Sequence, residues 1–314
     1  MADRISDMGE FALIGQITAR LPQGAGVALG PGDDAAVIAA PDGRTVVTTD
    51  MLIEGRHFRR DWSSARDVGR KAAAQNLADV AAMGARPTAV TVALGAPGDL
   101  EAAWVLELAD GVRAECGDVG ASVIGGDTVG SEAIVVAVTA LGDLEGRDPV
   151  PRSGARAGDV VALCGRLGWS EAGLQLLLEG QHVPEEVVQA HRSPQVPYSA
   201  GPQAADLGAT AMCDVSDGLL ADLGHIAEAS SVQIGVDVSA LEVADPVREA
   251  ARLLQADPIS WVLTGGEDNA LVATFPAGTV LPDAWRVIGG VETGSGVLVD
   301  STSYAGRAGY DHFS

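Results

Sequence analysis

Aspartates recur in this chain at positions from which a carboxylate can reach a ligand. Asp33 and Asp34 end a glycine-led run, Gly30-Pro31-Gly32. Asp50 closes the β-prone run Val46-Val47-Thr48-Thr49, and Asp127 follows Gly125-Gly126 after an apolar stretch. Asp214 and Asp217 flank Ser216 in Cys213-Asp214-Val215-Ser216-Asp217-Gly218. Strand ends and the loops after them are where α/β proteins assemble sites, because little backbone stands in the way there. Asp79 differs, lying in the helical run Asn76-Leu77-Ala78-Asp79 among apolar neighbours. Each position also has an ordinary reading: Asp214 or Asp217 as a helix N-cap, Asp127 as a turn residue, Asp79 as a solvated carboxylate. Spacing leaves both readings open.

Should these carboxylates converge, oxygen donors without Cys or His suit Mg²⁺ rather than zinc. Magnesium shares its coordination sphere with water and phosphate oxygens, so the expected ligand is a polyphosphate. The expected chemistry is phosphoryl transfer, which needs positioning and charge neutralisation more than covalent catalysis. No G-x-x-x-x-G-K-[ST] run is present, and the single lysine, Lys71, sits in a helical run. Neither a P-loop nor a protein-kinase layout is therefore available. Arg152, in Pro151-Arg152-Ser153-Gly154, is either a phosphate clamp or a solvated linker arginine. His57 and Glu267 complete the candidates; the first could be a structural histidine and the second a helix cap.

The elements that must position these residues alternate in type along the chain. Ser6 or Asp7 is expected to cap a first helix, on which Phe11, Ile14, Ile17 and Leu21 recur at helical spacing. Two β-runs, 35–40 and 45–49, follow a Gly/Pro-rich loop. Next come a helix over 67–84, a strand over 88–94, a helix over 100–116 and a strand over 121–124. The loop Gly125-Gly126-Asp127-Thr128 leads into a strand over 133–141. The segment 142–158, with Pro149, Pro151 and several charges, is the candidate domain junction. Beyond it a strand over 160–164, helices over 171–179 and 185–191, a strand over 210–214, a helix over 216–229 and a strand over 232–238 repeat the alternation. Both halves contain a Gly-Gly-acid turn, Gly125-Gly126-Asp127 and Gly265-Gly266-Glu267.

Composition narrows the partners. The chain has 314 residues, with 43 acidic against 20 basic side chains and a formal net charge of −23, which repels a nucleic-acid backbone. Cations must therefore stand between these carboxylates and any bound phosphate. Cys116, Cys164 and Cys213 are dispersed and odd in number, against a disulfide framework or a thiolate zinc site. Residues 1–10 are acidic without an apolar core, and the longest apolar stretch, near 133–141, is too short to span a bilayer. The expectation is a cytoplasmic protein that engages no membrane.

The motifs together resemble the thiamine-monophosphate kinase family, of the superfamily that includes aminoimidazole ribonucleotide synthetase. The resemblance runs through Gly32-Asp33-Asp34-Ala35-Ala36, Thr48-Thr49-Asp50, His57-Phe58 and Asn76-Leu77-Ala78-Asp79-Val80-Ala81-Ala82-Met83-Gly84-Ala85. It continues in Gly125-Gly126-Asp127-Thr128, Arg152-Ser153-Gly154, Asp214-Val215-Ser216-Asp217-Gly218-Leu219 and Gly265-Gly266-Glu267-Asp268, and closes with Gly309-Tyr310-Asp311-His312-Phe313. The aspartate loops are shared across the superfamily, whereas His57-Phe58, the run from Asn76 and the closing segment point to the thiamine enzyme. The resemblance implies ATP- and Mg²⁺-dependent phosphorylation of thiamine monophosphate to thiamine diphosphate by direct transfer, the last step of thiamine diphosphate biosynthesis. Superfamily alternatives are a ring-closing ribonucleotide synthetase and, outside catalysis, a nucleotide-binding regulatory module.

Carried over by position, the resemblance makes Asp34, Thr48, Thr49, Asp50, Asp79, Asp127, Asp214 and Asp217 the magnesium ligands. Asp50, Asp127 and Asp217 are the expected catalytic carboxylates. Gly126, Asp127, Arg152 and Ser216 would contact ATP, and His57, Glu267 and Tyr310 thiamine monophosphate. The implied fold is α/β in two domains: residues 1–145 binding metal and ATP and forming a homodimer, and residues 146–314 completing the ATP and substrate cleft. One departure stands out: the family places an aromatic residue after Gly-Gly-Glu-Asp, and this chain has Asn269.

Overall fold

The computed structural model of the chain describes residues 4, 8, 10–29, 37–306 and 308–310. The expected ligand Asp34, its neighbour Asp33, the first-helix caps Ser6 and Asp7, and the closing Asp311-His312-Phe313 lie outside the described residues. The fold is mixed α/β, and the chain divides into two compact units: Met1–Val80 with Arg86–Gly146, and Ala81–Ala85 with Arg147–Ser314.

In the first unit, helix α1 (Glu10–Thr18) and the short strands β1 (Val27–Leu29) and β2 (Val37–Ile38) precede a four-stranded sheet. Its strands are β3 (Val46–Ile53), β4 (Arg86–Ala96), β5 (Ser122–Gly130) and β6 (Val135–Asp143), in the order β3-β6-β4-β5. Helices α2 (Ala65–Ala82) and α3 (Ala102–Val119) join them. A reciprocal cap starts α2: the Asp67 carboxylate accepts the Ser64 N–H at 3.1 Å while the Ser64 hydroxyl accepts the Asp67 N–H at 3.2 Å. The alanine-rich face of α2 then lets two backbones touch. A Cβ on Gly69 would lie 2.1 Å from the Leu108 carbonyl oxygen, and one on Gly111 would lie 2.2 Å from that of Arg66.

Strand alternation sorts this sheet into two faces. Leu52, Val136, Val138 and Ala140 are buried on the face that meets α2. On the opposite face Val47, Met51 and Val129 remain 60%, 53% and 61% exposed.

The second unit is built on a seven-stranded sheet, in which strands β7 (Val160–Cys164), β8 (Ala211–Val215), β9 (Gln233–Val236), β10 (Ala270–Phe275), β11 (Trp285–Glu292), β12 (Gly296–Val299) and β13 (Thr302–Ser303) run in the order β13-β12-β9-β11-β7-β10-β8. All neighbours are antiparallel except β12 and β9. Helices α4 (Trp169–Leu178), α5 (Glu185–Arg192), α6 (Ala200–Asp206), α7 (Leu219–Ser230), α8 (Asp245–Leu254) and α9 (Pro258–Thr264) surround it. Central strands are buried on both faces, so they read as continuous apolar runs. In β8, Ala211, Cys213 and Val215 enter one cluster with Leu219, Leu223 and Ile226 of α7. Met212 enters the opposite cluster with Phe275, Trp285, Ala200 and Ala204.

Three local expectations change. Asp50 does not end its strand: β3 runs on through Met51, Leu52 and Ile53, because those apolar residues continue to pair with β6. Gly125-Gly126-Asp127-Thr128 is not a loop but the body of β5, paired to β4 past a bulge at Val90/Thr91. The two Gly-Gly-acid segments therefore differ, and only the one at Gly265 is a turn. Helix α7 begins at Leu219 rather than Ser216, after a bend at Gly218 with φ +126°.

Candidate functional site

In the first unit, the α2-facing side of edge strand β3 carries Thr48 and Asp50. The Thr48 hydroxyl donates to the Asp79 carboxylate at 2.7 Å. Asn76, one turn before Asp79, is fully buried; its side-chain oxygen accepts the Asp50 N–H at 2.8 Å and its amide donates to the Ala72 carbonyl at 2.9 Å. Residues three apart share a helix face, so Asn76 and Asp79 together fix Thr48 and Asp50. The structure thus brings together Thr48, Asp50 and Asp79.

Thr49 lies on the other face, where its hydroxyl donates to the Val138 carbonyl and accepts from Thr139, both at 3.0 Å. Asp127 lies on that face too. Asp50 shares a register row with Val138, Val92 and Gly126, whereas Asp127 shares one with Ala93, Ala137 and Met51. At about 4.8 Å per strand, β3 and β5 at opposite edges of the sheet stand roughly 14 Å apart. The unit therefore does not bring Asp127 to Asp50.

His57 sits in the turn after β3. Its Nδ1 accepts the Ile53 N–H at 3.1 Å, which leaves Nε2 to carry the ring proton of the neutral side chain. Lys71, the only lysine and buried, donates to the His57 carbonyl at 3.1 Å.

The second unit assembles the other candidates around the end of β8. Asp214 is buried at 3% exposure. The Glu267 N–H donates to the Ser216 carbonyl at 2.7 Å, and the Tyr310 N–H to the Asp217 carbonyl at 2.9 Å. Ser216 and Glu267, and Asp217 and Tyr310, are therefore neighbours by direct backbone ties, with Asp214 two residues before Ser216 at the end of β8. Gly266 and Gly309 permit this approach, since a Cβ on either would lie 2.5 Å from the Ser216 or Asp217 carbonyl oxygen.

Asn269 has its own place here. At φ +50° it occupies the left-handed region that Asn tolerates, its N–H donates to the Val215 carbonyl at 2.9 Å, and its amide lies 3.4 Å from the Asp214 carboxylate. Arg152 is exposed; its carbonyl accepts the Ser230 hydroxyl at 3.0 Å, and its charge acts on Asp222.

Two carboxylates to which the sequence reading gave no role shape this region. Asp222, in the first turn of α7 and 1% exposed, accepts the N–H groups of Ser216, Asp217 and Gly218 at 3.1, 3.1 and 3.0 Å. Burial, and then the charge of Asp217, push its carboxyl up to about 7 against the pull of those N–H groups. Its ligand atom lies within 4.8 Å of those of Asp217 and His225. Asp268, also buried, accepts the N–H groups of Gly168 and Ser170 at the start of α4, and burial raises it to about 7. Beside it, His191 Nδ1 meets the Ser170 hydroxyl at 3.1 Å and the Glu267 carboxylate at 3.4 Å. Burial also raises Glu171, and the charge of Glu267 adds to the effect. The signal for Asp222 was an acid in the first turn of a helix.

Comparison with known proteins adds a lineage. The family described as AIR synthase related protein, N-terminal domain, matches residues 32–144. A thiamine-monophosphate kinase of Mycobacterium tuberculosis is 53% identical over 311 residues, covering 98% of this chain and 93% of that protein. A solved structure of AaThiL complexed with AMPPCP and TMP superposes with a TM-score of 0.82 at 35% identity, covering 100% of both chains. A thiamine-monophosphate kinase structure from Stenotrophomonas maltophilia K279a gives a TM-score of 0.82 at 34% identity, covering 94% of this chain and 98% of that one.

Proposed function

The chain belongs to the thiamine-monophosphate kinase family, and on that premise we propose that it transfers the γ-phosphoryl group of ATP directly to the phosphate of thiamine monophosphate. The products are thiamine diphosphate and ADP. The observation that carries this reading is the joining of Ser216 and Asp217 to Glu267 and Tyr310 by backbone hydrogen bonds. Residues suited to the nucleotide and residues suited to the acceptor thereby meet at one turn.

An acceptor phosphate oxygen forms the new P–O bond while the bond from the γ-phosphorus to the ADP oxygen breaks. The acceptor is already an anion, so no side chain need remove a proton. The obstacle is repulsion between two anions. The Thr48–Asp79 pair with Asp50, and Asp214 with Asp217, offer oxygen donors of the kind Mg²⁺ prefers. Magnesium held by either of these groups would supply charge neutralisation.

The remaining work falls to the protein's own groups. In the second unit Arg152 clamps nucleotide phosphate and Ser216 contacts ATP. His57 is the first unit's candidate for contact with thiamine monophosphate. Glu267 faces the cationic thiazolium ring and Tyr310 covers it.

The homodimer is part of the same reading. Val47, Met51 and Val129 form an exposed apolar face on the sheet of the first unit, suited to a second copy. Asp127 stands on that face, so pairing two copies through it turns each Asp127 toward the partner. Among the described residues no helix is long and apolar enough to cross a membrane.

The test is replacement of Asp50 or Asp217 by Asn. Either variant is expected to keep its circular dichroism spectrum and lose turnover; near-normal turnover in either would sink the assignment.

A further inference from the structure

Helix α7 begins where an anion would ordinarily be welcome. Its first N–H groups lack intrahelical partners, and such ends commonly receive a phosphate. Here the turn that leads into the helix is tied back onto it. One oxygen of Asp222 accepts three consecutive N–H groups, those of Ser216, Asp217 and Gly218, and the side chain is 1% exposed. A phosphate cannot use these donors while Asp222 holds them.

The arrangement is costly. A buried carboxylate loses its hydration, and a second carboxylate, that of Asp217, stands close by. The gain is geometry. Ser216 and Asp217 leave the end of β8, the chain turns at Gly218, and a Cβ on Gly218 would lie 2.6 Å from the Thr264 carbonyl oxygen. With three N–H groups tied to one point, the peptide planes of Ser216, Asp217 and Gly218 are fixed together. The same peptides pass their carbonyls to Glu267 and Tyr310.

We propose that Asp222 is a positioning residue: by gathering these three N–H groups it sets the direction in which Ser216 and Asp217 face magnesium-bound nucleotide. The inference rests on the reading that Asp214, Ser216 and Asp217 hold magnesium and ATP. Asp222 acts through the turn, because one of its oxygens is committed to the three donors. Groups that orient metal ligands typically contribute ~10–100-fold to metal affinity.

The experiment titrates Mg²⁺ into full-length protein with AMPPCP, following nucleotide binding by calorimetry, and records thermal unfolding without Mg²⁺. Asp222→Ala is expected to need ~10-fold or more Mg²⁺ for half-saturation, with Asp222→Asn, which keeps one acceptor oxygen, falling between it and the unsubstituted protein. A folded Asp222→Ala protein with unchanged Mg²⁺ demand overturns the proposal. Should Asp222→Ala fail to fold, Asp222→Asn carries the test, and unchanged demand there overturns it equally. Asp217→Asn separates the two readings. If it binds Mg²⁺ and AMPPCP normally, the metal assignment itself fails; if it loses them while Asp222 variants do not, only the positioning role fails.

Discussion

Asn76 offers a sharp test of how the first unit builds its half of the site. It is fully buried, and its truncation to Ala removes the acceptor of the Asp50 N–H and the donor to the Ala72 carbonyl. The Ala72 carbonyl keeps its helical partner, so most of the hydrogen-bonding cost falls on the Asp50 N–H. Asp50 is exposed and the bond only part-buried, so leaving its N–H without this acceptor costs ~1 kcal/mol, and the void left by the buried amide adds about as much. A total of about 2 kcal/mol, at about 3 °C per kcal/mol for a unit of this size, lowers the unfolding temperature by roughly 6 °C. Asp50 also loses one of its anchors, and a loosened ligand lowers kcat/KM by about 10–100-fold. Asn76→Leu separates the two effects, since it fills the space without restoring the hydrogen bond. Thermal unfolding and a coupled ADP assay on both variants give the answer. Unfolding temperature and kcat/KM both unchanged in Asn76→Ala would refute this account of Asp50.

Two further outcomes follow from the structure. Asp268 holds its proton up to about pH 7 in the fold, whereas an ordinary aspartate loses it near 3.8. The folded state therefore binds more protons between those values, and stability falls as pH rises through that window, by up to ~1.4 kcal/mol per pH unit for each such group. Asp222 shares the direction, so urea unfolding should show a slope that Asp268→Asn reduces but does not abolish; an unchanged slope would contradict the buried protonated Asp268. The double variant Val47→Glu with Met51→Glu places charge on the exposed sheet face and should shift the protein from dimer to monomer in sedimentation. A dimer that survives both charges would exclude that face as the interface.

What the sequence made legible was local. The placing of Asp214, Ser216 and Asp217 at a strand-to-helix junction was legible because the residue types that end strands and start helices lie within a few positions, whereas the bend at Gly218, which delays the helix to Leu219, was not. The alternation of strands and helices was legible for the same reason, since period-2 and period-3.6 apolar patterns are written in neighbouring residues. Asp50 was harder. Its place in mid-strand depends on pairing with β6, and its anchoring depends on Asn76, 26 residues away. The separation of Asp127 from Asp50 onto opposite faces depends on register across four strands, which no single segment encodes. Asp222 was missed because a first-turn acid looks like any favourable helix charge until its three donors are seen. Asn269, a departure by family pattern, fits once the backbone is known, because the left-handed conformation there favours it over an aromatic side chain.

The central claim is that this chain moves a phosphoryl group from ATP onto thiamine monophosphate. The most direct measurement incubates the protein with ATP, Mg²⁺ and thiamine monophosphate and separates the thiamine species. The account predicts thiamine diphosphate formed in equal amount to ADP, dependent on Mg²⁺ and absent without thiamine monophosphate. ADP released at the same rate without the acceptor, or no thiamine diphosphate at all, would contradict it.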